Sequence, residues 1–495
     1  MKLKEIIYKV YAIKIGSDIS IKGLSIDSRD IKPGDCFVAI KGAKLNGSDY
    51  IKGAIESGAV AVIVDGDYFH ESTIENTNIA VICLPNLPMS LGELASAFYL
   101  YPSKYMSVTG VTGSNGKSSM VYLLAAALKV IKKKSAFIGT MGYGDVDNYD
   151  TTTRTTEMAV RLHQMLSSLR NDNFTNVAME VSSHAIAQHR IAGVEFNGLI
   201  FTNISEDHLD YHGDLNSYAE TKLSLFDRKG LDFIIVNIDD HFGRKLVDRH
   251  GGDNLVCYGL HSDCQKFCHK YVVANDVNYT ITGTSFEIQT YLGNISLSTR
   301  LVGPGNVYNV LSIAAYLLFV GVSILDLPSV IASLPNIPGR MEIFGGGDKP
   351  VVVVDYAHSE AAFAAVLKFL DGYCNGLLVS VFGCGGERPP DRRSGMGKAA
   401  DLYADKIVIT QDNPRGESIA NINAAILANI SDKTKVAVID DRDAAIENAI
   451  NSCKSGDVVL VSGKGHEQYQ DIKGCRYKHS DVEAVLKHLA GYSRD

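Results

Sequence analysis

The sequence predicts an α/β fold built on parallel sheets, and three observations carry that expectation. Short apolar runs rich in Val and Ile recur at 59–64, 106–111, 177–181, 233–236, 351–354, 377–382, 407–410 and 458–461. Runs of this length without alternation are those of strands buried on both faces. Amphipathic stretches such as 118–132 and 360–370 lie between them as helices, the order that builds parallel crossover units. A glycine-rich segment, Gly110-Val111-Thr112-Gly113-Ser114-Asn115-Gly116-Lys117-Ser118-Ser119, follows one such run and opens one such helix.

Length sets how often the unit repeats. At roughly 150 residues per domain, the 495 residues suggest about three domains, each able to bury a core without staples. A helical stretch gives way to the strand before the glycine-rich loop near Tyr101-Pro102-Ser103. Further on, Pro335-Asn336-Ile337-Pro338-Gly339-Arg340 makes a turn before a new set of strands. The expected domains are residues 1–100, 101–338 and 339–495.

Composition narrows the function classes. Hydrophobic residues at 46% with 21% charged exclude wholesale disorder. Forty-eight Lys and Arg against 56 Asp and Glu leave a net charge of −8, which speaks against coating nucleic acid or an anionic membrane. The N-terminus lacks the apolar core and small-residue cleavage site of a signal peptide, so none is expected. The uncharged stretch 310–325 falls short of the roughly 20 residues a bilayer requires, and a buried helix is expected there. Nine scattered cysteines suit a reducing cytoplasm better than a disulfide framework. The cluster Cys257, His261, Cys264, Cys268 and His269 has no C-x-x-C pair, and is expected to be a loop and strand edge with free thiols.

The glycine-rich loop points to phosphate. Its glycines let backbone N–H groups close around phosphate oxygens, the helix N-terminus adds its dipole, and Lys117 reaches the β- and γ-phosphates. Ser118 follows where a hydroxyl would meet Mg²⁺. The strict motif would put its first glycine at 111, where Val stands and Gly110 precedes it. Glu180-Val181-Ser182-Ser183-His184 follows a strand, where a carboxylate can hold Mg²⁺ at the sheet edge, and Asp207-His208-Leu209-Asp210-Tyr211-His212 follows another apolar run. Such a site alone leaves motors, switches, transporters and ligases open.

Nine blocks in order narrow the choice: GVTGSNGKSS (110–119), MEVSSHAIAQHR (179–190), TNISEDHLDYHG (202–213), GPGNVYN (303–309), IPGRME (337–342), VVDYAH (353–358), FGCGGER (382–388), DNPR (412–415) and SGKGHE (462–467). Through essentially its whole length the chain resembles the Mur ligase family. The resemblance implies three domains: a first that holds a uridine nucleotide, a central P-loop sheet that holds ATP, and a C-terminal Rossmann-like domain that brings an amino acid. It further implies the branch that adds meso-2,6-diaminopimelate to UDP-N-acetylmuramoyl-L-alanyl-D-glutamate through an acyl phosphate, in cytoplasmic peptidoglycan synthesis. The implied cofactors are ATP and Mg²⁺. The implied partners are these small-molecule substrates, with no nucleic acid and no membrane, and the enzyme is expected to be a monomer.

Residue by residue, the resemblance assigns Gly113, Ser114, Asn115, Gly116, Lys117, Ser118 and Ser119 to ATP, with Asn306, Arg340 and Asp355 at the adenosine or phosphates. Ser118, Glu180, His208 and Lys222 are the implied metal residues, with Lys222 carbamylated, and Lys117, Lys222 and His208 the implied catalytic ones. Thr155, Thr156, Ser182, Gln188 and Arg190 would hold the muramoyl dipeptide, with Ile26, Ser28 and the stretch from Ala43 to Leu45 at the uridine end. Arg388, Asp412, Asn413, Pro414, Arg415, Gly463 and Glu467 would hold diaminopimelate. An arginine fork suits its distal carboxylate, and acidic or amide oxygens suit its ammonium. Folylpolyglutamate synthases share the ATP and carbamyl-lysine blocks, but DNPR and Asp27-Ser28-Arg29 argue against them. A non-catalytic regulator on the same fold is disfavoured because Lys117, Glu180, His208 and Lys222 are all present. The chain departs from the family pattern at Glu157, where proline or a small residue is usual, at Asn46-Gly47-Ser48, at His358-Ser359-Glu360 and at 386–393.

Overall fold

The computed structural model describes residues 1–16, 18–42, 45–66, 79–260, 263–388 and 391–492. The chain divides into two compact units: Met1–Val273 with Leu311–Val322, and Ala274–Val310 with Ser323–Asp495.

The first unit contains two sheets. Strands Leu24–Ser25, Cys36–Ala39, Ala61–Asp65 and Ala80–Leu84 lie side by side in that order, all parallel. Successive side chains serve opposite faces. Val38 and Ile63 pack with helices Leu3–Tyr11 and Leu87–Phe98, while Phe37 and Val62 pack with helix Ile51–Glu56. The helix Leu87–Phe98 also fixes this sheet to the next. A Cβ at Gly92 would come within 2.3 Å of the Ala192 carbonyl oxygen, and Ser96 Oγ donates to the Gly193 carbonyl at 3.0 Å.

In the second sheet, strands Leu255–Gly259, Phe233–Asn237, Gly198–Phe201, Ser107–Thr112, Asn176–Glu180 and Ser135–Gly139 run parallel in that spatial order. Strands Gly142–Asp145 and Asn148–Asp150 extend one edge antiparallel. Helix Lys117–Val130 is buried along nearly its whole length, as expected for a crossover helix at the sheet's centre. The apolar stretch 310–325 lies largely in helix Pro304–Phe319, whose Tyr316 ring packs edge-on against Phe233. No helix among the described residues is long and apolar enough to cross a membrane.

In the second unit, Glu342–Gly345 pairs antiparallel with Val351–Asp355, and Val458–Ser462, Leu378–Phe382, Lys406–Ile409 and Val436–Val438 follow in parallel. Helices cover both faces: Val353 packs with Phe363, and Val352 and Val354 with Val485. Strand Val458–Ser462 inserts between two strands that precede it in the chain. The order thus reverses there, and open α/β sheets bind ligands beyond the strand ends at such a point.

All eight apolar runs singled out in the sequence are strands. The hairpin Gly283–Thr290 and Gly293–Thr299 was not foreseen, because its alternating Thr, Ser and apolar residues bury one face only. One expectation is corrected. Cys257 and Cys268 are joined in a disulfide instead of standing as free thiols, because the turn of helix Cys264–Phe267 brings their Cα atoms to 6.0 Å. Cys264 is a buried free thiol, and His261 of that cluster lies outside the described residues.

Candidate active site

Each unit carries part of the sequence-predicted set. In the first, strand Ser107–Thr112 ends in the glycine loop and helix Lys117–Val130 begins directly after it. Gly113 and Gly116 have φ of +151° and +85°, conformations that an L side chain resists. A Cβ on Gly113 would also stand 1.9 Å from Thr202 Oγ1.

The loop is clasped from the neighbouring strand end by residues that sequence reasoning did not assign. Ser114 N donates to the Asn203 carbonyl at 2.7 Å, and Asn115 N to Asn203 Oδ1 at 3.0 Å. Thr202 Oγ1 donates to the Asn115 carbonyl at 2.7 Å. Ser114 Oγ lies 3.0 Å from the Tyr218 hydroxyl and accepts from Ser205 N at 2.9 Å. The quoted block 202–213 contained three of these residues, but only the folded strand order shows what they touch.

Two lysines meet at this loop. Lys117 Nζ donates to the carbonyls of Gly113 (2.9 Å) and Ser114 (2.8 Å). Lys222, on helix Leu215–Leu223 and 2% exposed, donates to the same Gly113 carbonyl at 2.8 Å. Burial, with the nearby Lys117 charge adding to it, holds Lys222 well below the ordinary lysine range. The charges of Asp207 and Glu180 oppose that shift.

Glu180 ends its strand fully buried, with Oε1 accepting from Thr140 N at 2.7 Å. A Cβ on Gly139 would stand 2.1 Å from that oxygen, so this glycine makes room for the carboxylate. His208 has a left-handed backbone (φ +54°), and its ring lies 4.8 Å from the His184 ring. Burial, then neighbouring imidazoles, hold His184 and His212 below the ordinary histidine value. Among the described residues no three His, Cys, Asp or Glu side chains gather as a metal cage. The donors nonetheless fit Mg²⁺, which favours hard oxygens and takes few protein ligands beside water and phosphate. Ser118 supplies a hydroxyl at the helix start and Glu180 a carboxylate whose charge acts on Lys222.

The dipeptide residues form one network. Arg190 donates through Nη2 (2.6 Å) and Nε (3.0 Å) to Gln188 Oε1, and through Nη1 to the Thr156 carbonyl at 2.9 Å. Thr156 Oγ1 donates to the Glu180 carbonyl and accepts from Ser182 N. Thr155 Oγ1 accepts from Thr140 Oγ1 at 3.0 Å. Glu157, unusual by the family pattern, has one oxygen accepting from Thr153 N (2.7 Å), Thr153 Oγ1 (3.0 Å) and Arg154 N (3.2 Å). Ile26 is half-buried and Ser28 opens the turn Ser28–Asp30, which Asp27 caps by accepting from Arg29 N. No hydrogen bond or ion pair among the described residues joins Ile26 or Ser28 to the glycine loop, and Ala43 and Lys44 lie outside the described residues.

In the second unit, Asp355 ends its strand and accepts from Met341 N and Ala357 N, both at 2.7 Å. Burial raises its carboxyl, against the pull of Arg340. Arg340 stacks over the Tyr356 ring at 4.3 Å, and its buried Nε has no hydrogen-bond partner among the described residues. Asn306 donates to the Val302 carbonyl at 2.9 Å and accepts from Asn309 Nδ2.

The loop 412–415 follows strand Lys406–Ile409. Arg415 has φ +51°, and its Nη1 donates to the Gly386 carbonyl at 2.6 Å. Pro414 forces close approach: a Cβ on Gly386 would stand 1.9 Å from its carbonyl oxygen. Burial lowers Arg388, and the charges of Arg415 and Arg392 lower it further, so these guanidiniums share one electropositive space. Asn413 Nδ2 donates to Glu467 Oε2 at 2.9 Å. Gly463, with φ +112°, lets the strand end turn beside Asp412, whose carboxylate would be 3.7 Å from a Cβ there.

Comparison with known proteins agrees with this layout. Family models match in chain order: the Mur ligase family catalytic domain over residues 20–99, the Mur ligase middle domain over 111–317, and the Mur ligase glutamate ligase domain over 339–465. A UDP-N-acetylmuramoyl-L-alanyl-D-glutamate–2,6-diaminopimelate ligase of Xylella fastidiosa is 40% identical over 484 residues, covering 96% of this chain and 95% of the relative. A solved structure of a ligase with that same name superposes with a TM-score of 0.70 at 29% identity, covering 99% of each chain. A MurF ligase from Thermotoga maritima, solved in complex with ADP, shares the fold with a TM-score of 0.62 at 18% identity, over 96% of this chain and 98% of that one.

Proposed function

The chain belongs to the Mur ligase family, and we propose that it joins meso-2,6-diaminopimelate to UDP-N-acetylmuramoyl-L-alanyl-D-glutamate with cleavage of ATP. The observation that carries the amino-acid assignment is the loop 412–415. There Arg415 and Arg388 face one space, while Asn413 and Glu467 lie together beside it. A free amino acid with a carboxylate and an ammonium at its far end matches a site with guanidinium and carboxylate both on offer.

A carboxylate is a poor acyl donor. The D-Glu side-chain carboxylate attacks the γ-phosphorus of ATP, forming an acyl phosphate and releasing ADP. The free amine of diaminopimelate then attacks the acyl carbon, and the tetrahedral intermediate expels phosphate. Gly113 to Ser119 cradle the phosphates, and Lys117 neutralises charge on the transferred group. Arg190 and Gln188, already locked to one another, with Thr155, Thr156 and Ser182, orient the dipeptide. Arg340, Asp355 and Asn306 would contact the adenosine or phosphates, and the Arg340 Nε has no hydrogen-bond partner among the described residues.

Ser118, Glu180, His208 and Lys222 would hold Mg²⁺, which supplies electrostatic stabilisation of the phosphoryl group. Lys222 would serve as a carbamate. Its depressed basicity supplies the neutral amine that attacks CO₂, forming an N–C bond with loss of one proton. Residues 1–100, 101–338 and 339–495 would serve as uridine, ATP and amino-acid domains of a cytoplasmic, monomeric enzyme.

The test is phosphate release from ATP with the UDP-dipeptide and each candidate amino acid. Wild-type enzyme should prefer diaminopimelate over L-lysine by about 10⁴ in kcat/KM, because lysine leaves the guanidiniums unpaired. Equal use of both would sink the specificity, and no release with any amino acid would sink the ligase reading.

A further inference from the structure

Lys464 takes no part in the reaction just described, yet it is the most enclosed cation of the amino-acid site. Its side chain is 0% exposed. An ammonium has three N–H donors and no acceptor, and three acceptors surround this one. Asn413 Oδ1 and Glu467 Oε2 each lie at 3.0 Å, and Asp412 Oδ1 at 3.5 Å. Asn413 closes the triangle: its Nδ2 donates to the same Glu467 Oε2 at 2.9 Å, while its Oδ1 also accepts from Asp471 N at 2.9 Å. Both side-chain bonds of Glu467 thus fall on one oxygen, and its side chain keeps 20% of its surface exposed.

The hairpin Tyr469–Ile472 and Cys475–Lys478 backs this arrangement. Gln470 Nε2 donates to the Asp412 carbonyl at 3.2 Å. Arg415 N donates to the Asp471 carbonyl at 2.9 Å, and Lys473 N to the Arg415 carbonyl at 2.6 Å, which holds Arg415 in its left-handed conformation. The two charged readers, Arg415 and Glu467, therefore belong to loops that meet at one buried ammonium.

We propose that Lys464 is a positioning residue for amino-acid selection, tying loop 412–415 to Glu467 so that guanidinium and carboxylate stand at a fixed spacing. The inference rests on the diaminopimelate reading of the site. A distal amino-acid centre carries carboxylate and ammonium on one carbon, so its two readers must hold one separation. A shift of about 1 Å in a positioned group can lower turnover roughly a hundredfold.

The test compares full-length wild type with Lys464→Met, with unfolding followed alongside kinetics. The variant should raise the diaminopimelate KM by about ten- to a hundredfold while the KM values for ATP and the UDP-dipeptide stay within about twofold. Its preference for diaminopimelate over L-lysine should shrink by a similar factor. Unchanged diaminopimelate KM and preference in the folded variant would overturn the proposal, as would an equal rise in all three KM values. If Lys464→Met does not fold, Lys464→Gln, which keeps donors at the site without the charge, should show the same selective rise. Failure of that variant to fold as well would overturn the proposal in favour of a purely structural lysine. A wild type inactive with diaminopimelate would instead remove the reading beneath it, a distinct result.

Discussion

Lys222 and Lys464 are both buried almost completely, one at the phosphate loop and one at the amino-acid loop, and their surroundings are opposite. Lys222 donates to a carbonyl, lies over the Tyr218 ring at 4.8 Å and shares its pocket with another cation, Lys117. Lys464 has two carboxylates and an amide oxygen around it. Burial without an anion destabilises the charged amine and favours the neutral, nucleophilic one. A buried ammonium whose donors all meet acceptors can act as a strut. On the proposed reading, the same residue type at the same depth would be reactive in one place and structural in the other.

The largest effect should come from the phosphate side. Lys222→Ala is expected to lower kcat by at least about 10²-fold, the scale on which removing one transition-state electrostatic contact acts. Short carboxylates added to that variant should partly restore turnover by supplying the missing oxygen ligands. Lys117→Ala should lose as much and recover nothing, because its role is a fixed positive charge. Restoration of both variants by carboxylate, or of neither, would erase the distinction between the two lysines of this loop.

Next in size is a loss confined to one substrate. Arg415→Ala should raise the diaminopimelate KM by about 10²-fold and leave the KM values for ATP and the UDP-dipeptide nearly unchanged, since the proposed charge-assisted contact is lost and the only other side-chain hydrogen bond removed among the described residues, to the Gly386 carbonyl, lies within the amino-acid loops. Steady-state kinetics with each substrate varied in turn decides this. A parallel rise in the ATP KM would mean that the amino-acid loop is not separable from the phosphate site.

Stability should move in opposite directions at the two lysines. Lys222 has a folded pKa below its ordinary value of 10.5, so between those two values the unfolded chain binds more protons and stability rises with pH. In bicarbonate-free buffer, Lys222→Met should therefore stabilise the protein near pH 7, by about 1–3 kcal/mol on the scale of burying an unmatched polar group. The gain should fade as pH climbs toward 10.5. Lys464→Met should destabilise by about 2–3 kcal/mol, below the range for fully buried pairs because Glu467 is 20% exposed. Denaturant unfolding at several pH values measures both, and the same sign at the two positions would refute the comparison.

How much of this was readable in advance follows the same line between strand ends and tertiary clasps. Gly113 to Ser119, Glu180 and the loop 412–415 sit at ends of buried strands, where an apolar run followed by polar residues marks the site in one dimension. Asn203, Ser205 and Tyr218 clasp the glycine loop from 88 to 104 residues away in sequence, and no local pattern carries such a contact. Lys464 lies in the block 462–467, yet a lysine in a loop reads as solvated until its burial is seen. The hairpin Tyr469–Ile472 and Cys475–Lys478 escaped notice because its second strand is exposed throughout and lacks an apolar signal. The Cys257–Cys268 pairing depends on a helical turn that spacing alone does not specify.

The smallest predicted effect lies at Glu157, a position that departs from the family pattern and still belongs to the site. One of its oxygens accepts three hydrogen bonds from Thr153 and Arg154, the residues directly before Thr155 and Thr156. Glu157 is 7% exposed while its donors Thr153 and Arg154 are exposed, and its negative charge also acts on Arg190. The carboxylate thus takes over in hydrogen bonds what a proline would do by restricting the backbone. Removing it with Glu157→Ala takes away the shared acceptor of Thr153 and Arg154, both exposed, and should lower stability by only about 0.5–1 kcal/mol. Because the loosened loop presents Thr155 and Thr156, the UDP-dipeptide KM should rise by a few-fold, roughly the effect of about 1 kcal/mol, while the diaminopimelate KM stays as it was. Glu157→Gln keeps one acceptor oxygen and should recover most of the KM, but not the attraction for Arg190. If Glu157→Ala leaves the UDP-dipeptide KM unchanged while losing stability, the carboxylate braces the fold alone, and substrate positioning in this loop falls to Arg190 and Gln188.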